Sequence, residues 1–268
     1  ATVGTSTRGT ALGFSANATG SQATAISDSV ASGGNSFAAV ADATASGTDS
    51  IALGKAATAS STYATAIGKN SSDQGSVATS GTAAMALGGS YASGTDSLAA
   101  AIANNTSTYG AQGANSIAIG YQAKASGGNG SVAIGLLARA DGGSSYNPVA
   151  LGQSYASGLN SFAAGGANSS SSYGAKGNNS IAIGSQSMSQ GTSGVALGSG
   201  AQVYSGGLYG YAIGRDATVS NDYAYAIGYT AKTRIDGQFA FASGKFSANG
   251  DAQGGQFILR ADTTDATA

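Results

Sequence analysis

The chain has no cysteine, no histidine and no tryptophan among its 268 residues. Its 12 acidic residues are all aspartate, so glutamate is missing as well. Proline occurs once, at Pro148, and charged residues make up only 9% of the chain. Each gap removes a class of function. Without cysteine there are no disulfide staples and no thiolate metal sites. Without His, Cys or Glu, general acid–base chemistry is left to Asp, Lys and Tyr. Most of the aspartates, Asp49, Asp96 and Asp141 among them, stand in turn sequences whose local chemistry accounts for them. A run of about 18 apolar residues, the minimum for a transmembrane helix, is absent, so no membrane insertion by this segment is expected. A basic-then-apolar leader is absent too, and the chain reads as a mature or excised piece whose anchor lies elsewhere. A formal net charge of −1 leaves no basic footprint for nucleic acid.

The remaining small motifs do not restore an enzyme. Gly127-Gly128-Asn129-Gly130 lacks the aspartate that a calcium-binding roll needs. The pairs Gly54-Lys55, Gly68-Lys69 and Gly244-Lys245 lack the Ser or Thr and the glycine spacing of a phosphate-binding loop. No catalytic residue, cofactor site or metal site is expected.

What the chain does have is glycine (44 residues), alanine, serine and threonine, set to a beat. A short motif, most often apolar-Ala-apolar-Gly, recurs seventeen times with its central alanine running from Ala11 to Ala240. Ile51-Ala52-Leu53-Gly54, Val132-Ala133-Ile134-Gly135, Val149-Ala150-Leu151-Gly152 and Tyr225-Ala226-Ile227-Gly228 are examples. Most steps are about 14 residues, and a recurring period of this kind marks a chain wound coil upon coil. Within each motif the residues alternate, as a strand requires, and a weaker second half and a Gly/Asn/Asp/Ser turn follow. Two short strands and two turns fill one flattened coil. One coil cannot stabilise itself, because ordering each residue costs about 1 kcal/mol and a buried aliphatic side chain returns only roughly 1.5–3 kcal/mol. Coils therefore stack in parallel register. The predicted fold is an all-β parallel solenoid over 1–242, a rod roughly 80 Å long at about 4.8 Å per coil. Residues 243–268 form a cap or a connector to a further module; Phe239, Phe241, Phe246, Phe257, Ile258 and Leu259 cluster near this boundary as the beat fades.

Alternation divides the motif between two faces. We expect the aliphatics to line the interior of the coil. The opposite face then carries a column of alanines, including Ala52, Ala118, Ala133, Ala150, Ala182 and Ala226, which suits close approach of another chain along the whole rod. The alternative is that small residues simply fit a narrow coil.

The motifs Asn115-Ser116-Ile117-Ala118-Ile119-Gly120, Asn179-Ser180-Ile181-Ala182-Ile183-Gly184 and Asp49-Ser50-Ile51-Ala52-Leu53-Gly54 resemble the head repeats of trimeric autotransporter adhesins. The resemblance spans roughly residues 10–242. It implies a left-handed β-roll in each chain, three chains side by side as a homotrimer, and an extracellular location. No heptad stalk or membrane-barrel pattern follows Phe241. Instead, Gly250 to Thr267 resembles segments of tail fibres of marine bacteriophages. The expected function is therefore a non-enzymatic virion fibre that attaches to a host, with the head of a bacterial surface adhesin as the alternative. Its partner besides itself is a cell-surface glycan or protein receptor. An ice-binding solenoid would need a regular threonine array, and Thr58, Thr65, Thr79 and Thr82 hold no fixed place in the coil.

Recognition on a rod is expected where the repeat is broken, since insertions project as loops. Two long steps, Ala99 to Ala118 and Ala163 to Ala182, carry Tyr109 and Tyr173. They belong to a duplication in which Ala86–Gly120 matches Ala150–Gly184 at a constant offset. Tyr146 beside Pro148 marks a third broken step, and Tyr204 and Tyr209 a fourth. A tyrosine on such a loop can stack on a sugar ring and bond through its hydroxyl; alternatively it caps its own loop or packs on a neighbouring chain.

Overall fold

A computed structural model describes residues 1–4, 8–101, 106–143, 147–166 and 172–256. The chain is a parallel β-solenoid with two walls and no helix among these residues. The narrow wall is a sheet of 15 short strands, from Thr2–Val3 to Thr218–Val219, in which each strand pairs with the one a coil away. The broad wall stacks sixteen parallel strands, from Thr10–Leu12 to Phe239–Ser243. It is closed by the antiparallel strand Gly254–Gln256, where Phe239 faces Gln256 and Phe241 faces Gly254. That last strand bonds to a strand straddling the expected boundary at 242.

Register pairs like with like. Ala38 stands on Ala52, Ala52 on Ala66 and Ala66 on Ala86. Ala66 and Ala86 are therefore neighbours in one ladder, and the coil between them is the longest of the broad wall. Ala78, a beat of the same column by its sequence, lies instead on the narrow wall in the strand Val77–Ala78. The seventeen beats thus correspond to sixteen coils, because one long coil carries the pattern twice.

The motif also faces the other way from the expectation. The central alanine of every broad-wall strand from Ala25 to Ala240 is fully buried, whereas the flanking Ile51 and Leu53 are 41% and 38% exposed. Ala52, Ala118, Ala133, Ala150 and Ala182 pack inside their own coil in one cluster with narrow-wall alanines such as Ala45, Ala59 and Ala125, and Ala226 in a second with Val203 and Val219. Sealed there, they are closed to contact with another chain. The two walls approach so closely that a methyl group fills the space between them, and larger side chains are turned outward. Where the chain departs from this rule it compensates. Val203 and Val219 replace alanine on the narrow wall, and glycine replaces the inward serine opposite, at Gly194 and Gly210.

Each position of Asn-Ser-Ile-Ala-Ile-Gly now has a reason. The first residue turns the chain with a positive φ, 55° at Asp49 and 53° at Asn115 and Asn179, a region Asn and Asp tolerate well. The serine points inward, and at Ser36, Ser50 and Ser97 its hydroxyl donates to a turn carbonyl three residues back at 2.7 Å. The closing glycine at Gly54 has φ +125°, and a Cβ there would meet Gly68 Cα of the next coil at 3.0 Å.

Candidate binding surfaces

The two walls present different outer faces. On the broad wall most outward positions pair apolar with apolar, Thr10, Thr24 and Thr65 excepted: Ile117 with Val132 and Ile119 with Ile134, then Val132 with Val149 and Ile134 with Leu151. Towards the C-terminal end aromatic rings take over. Tyr211 stacks on Tyr225 at 4.9 Å between centroids, and Tyr225 leans on Phe239 at 6.5 Å. The result is an apolar strip running the length of the rod, of the kind that marks an association surface.

The narrow wall is mixed and polar. Lys124, Arg139 and Tyr155 follow one another in register, with the Arg139 guanidinium 5.1 Å from the centre of the Tyr155 ring. Asp141 sits beside them, its side chain only 11% exposed, hydrogen-bonded to Arg139 and to Ser126 Oγ at 3.0 Å, with Lys124 Nζ 3.7 Å away. Turn chemistry alone does not account for Asp141, and the sequence reading passed over the two cations. Their signal is present in the chain: both fall four positions after a motif glycine, Gly120 and Gly135, at the outward position of the narrow wall. Further along, Gln202, Tyr204, Asp216, Thr218, Lys232 and Asn249 line a polar trough of about 440 Å³.

The candidate tyrosines do not converge. Tyr109 and Tyr173 lie on the edge where the chain leaves the broad wall, each just before a narrow-wall strand, Gly110–Ala111 and Gly174–Ala175. Both are half-buried, and Tyr109 packs against the alanine core. Tyr204 and Tyr209 lie on the opposite edge, where the chain returns to the broad wall. Tyr204 is exposed and donates its hydroxyl to Gln202, while Tyr209 stacks on Tyr223 at 5.2 Å with ring planes 8° apart. Tyr146 lies outside the described residues, as do Phe257, Ile258 and Leu259.

The loop inside the longest coil, between Ala66 and Ala86, carries a feature that the sequence does not announce. There Asp73 bonds both Lys55 and Lys69. These bonds, Lys55 first, hold the Asp73 carboxyl down at about 2, and Asp73 in turn raises the Lys55 ammonium. Lys176, just after the narrow-wall strand Gly174–Ala175, is pushed down by partial burial. Near the C-terminal end the Asp251 carboxyl is lowered by the backbone N–H groups of Ala248, Ser247 and Phe246. Among the described residues no group of three or more acidic side chains is placed to hold a metal ion, and no helix is long and apolar enough to cross a membrane.

No curated protein matches the chain. The profile of the YadA head domain repeat does, over residues 5–26, 45–71, 111–145, 175–201 and 205–233, more than half of the sequence. Such repeats are structural adhesin modules of extracellular or cell-surface proteins. With alanine-filled coils bearing the Asn-Ser-Ile-Ala-Ile-Gly motif, the chain belongs to the YadA head domain repeat family.

Proposed function

We propose that the chain is the adhesive head of a fibre displayed on a bacterial surface, assembled as a homotrimer through its broad walls. One observation carries this reading: the outward apolar strip on every coil of that wall. An alanine interior supports the same conclusion. Burying one methyl group is worth about 0.8 kcal/mol, less than the roughly 1 kcal/mol lost on ordering a residue, so the coil gains from covering its outer aliphatics with further copies. Receptor contact then falls to the polar narrow wall and the loops at the edges, and repetition along three chains makes weak contacts additive. Light scattering should give three times the chain mass. A stable monomer at micromolar concentration overturns the assembly. Beads coated with the protein should attach to some members of a panel of bacterial and animal cells, and Tyr109→Ala with Tyr173→Ala should reduce that attachment; unchanged attachment removes these two tyrosines from the receptor surface.

A second reading, a virion fibre engaged in host attachment, rests only on the resemblance read in the sequence of Gly250–Thr267 to phage tail-fibre segments. The matched head repeats favour the bacterial surface. Antibody labelling decides between them: label on the cell envelope supports the adhesin, and label on purified virions supports the fibre.

A further inference from the structure

Gly110, Lys124, Arg139 and Tyr155 stand in register on four successive strands of the narrow wall. Neighbouring strands are about 4.8 Å apart, so the two cations lie side by side, an arrangement that is unfavourable by itself. One carboxylate, Asp141, serves both, and a net positive charge is left at the surface. The side chains of Lys124 and Arg139 are 28% and 39% exposed. Partial withdrawal from water strengthens their attraction to an anion and weakens its screening by salt. Beside them opens a cleft of about 310 Å³, completed by Thr108 and Tyr109 of the first long loop, Gln122 and Leu137.

The fold does not need these charges. In the second copy of the duplication, Tyr173 and Gln186 stand where Tyr109 and Gln122 do, but Met188 and Gln202 occupy the register of Lys124 and Arg139. The narrow-wall strands Gly174–Ala175, Met188–Ser189 and Gln202–Val203 form there with no cation at these two positions. The positive pair therefore distinguishes one copy chemically and is not part of the scaffold.

We propose that this cleft binds a carboxylated sugar unit, a uronate, of an acidic polysaccharide. Lys124 and the guanidinium edge of Arg139 take the carboxylate, as charge-assisted bonds favour. The Gln122 amide and Thr108 hydroxyl bond ring hydroxyls, and Leu137 and the Tyr109 ring supply the apolar contact usual in small-ligand sites. This rests on the adhesive reading above and names the class of its receptor.

The test is binding of the assembled protein to immobilised polygalacturonate, with dextran, poly-glutamate and DNA as comparison polymers. Polygalacturonate should bind in a salt-sensitive way, with the other three weaker by about tenfold or more. Lys124→Gln with Arg139→Gln should weaken binding at least tenfold with the oligomeric mass unchanged. Asp141→Asn, which removes the counter-charge, should tighten it severalfold, a gain that misfolding cannot mimic. Equal binding by the double variant, no gain from Asp141→Asn, or equal binding of poly-glutamate or DNA overturns the proposal. Coated beads separate it from the adhesive reading. Cell attachment without polygalacturonate binding sinks the uronate site alone, whereas attachment to no cell type sinks the adhesive head.

Discussion

Gly210 faces Val219 across the interior of its coil, and a Cβ on the glycine would lie 2.6 Å from Val219 Cγ1. The usual inward serine of the motif is absent there because the valine already fills its space. Gly210→Ser should therefore destabilise the protein by about 1–3 kcal/mol, the range for overpacking. Adding Val219→Ala should recover most of the loss. The coupling is read from denaturant unfolding of the two single variants and the double variant; additive losses would show that the two positions do not share one volume.

The inward serines divide into two groups. Ser50 donates its hydroxyl to Gly47 O at 2.7 Å, whereas Ser116 Oγ is buried with no partner. Ser50→Ala should cost about 1 kcal/mol, the net worth of one such bond. Ser116→Ala should be neutral or stabilising, because it removes an unsatisfied polar atom. Thermal melts of the two variants check the contrast, and equal losses would contradict it.

Outward and inward substitutions on one strand should separate assembly from folding. Ile51→Lys with Leu53→Lys places charge on the apolar strip and should lower the oligomeric mass seen by light scattering while β circular dichroism persists. Ala52→Val, one position between them, should instead loosen the coil itself by about 1–3 kcal/mol. Retention of the full mass by the lysine variant would exclude this face as the interface.

Asp73 should titrate far below an ordinary carboxylate. Its carboxyl is held down to about 2 from 3.8 by Lys55 and then Lys69. Because the folded value is the lower one, the stabilisation of the loop is complete above pH 3.8 and is lost as the pH falls through about 2. Carbon-detected NMR of the Asp73 carboxyl should show this midpoint, and Lys55→Met should raise it. A midpoint near 3.8 in both proteins would mean that the ion pair does not form in solution.

Most of the fold is legible in the sequence because period and spacing are properties of the chain alone. The positions of the coils, the parallel stacking and the turn residues follow from the beat of Ile117-Ala118-Ile119-Gly120 and its relatives. Alternation, however, states only that Ile117 and Ile119 share a face and Ala118 takes the other. Which face is inside depends on how far apart two walls sit, and that distance is set by residues a half-coil away, such as Ala125 and Ala59. Ala78 misleads for a similar reason: Val77-Ala78 carries the local pattern of either wall, and only its pairing with Tyr91-Ala92 assigns it. The basic pair is the least legible feature. Lys124 and Arg139 lie a full coil apart along the chain and become neighbours only through register.

Register has a mechanical consequence. The bonds that join coils, such as Ile51 N–H to Ala64 O at 2.9 Å and Thr65 N–H to Ala84 O at 2.9 Å, lie along the long axis of the rod. Tension between the ends of a chain falls on them directly, and each coil holds only its neighbours. Stretching should thus detach coils singly from an end, each releasing roughly 40–50 Å of contour at about 3.4 Å per residue. A tether built this way lengthens in steps under load and dissipates force before its attachment lets go.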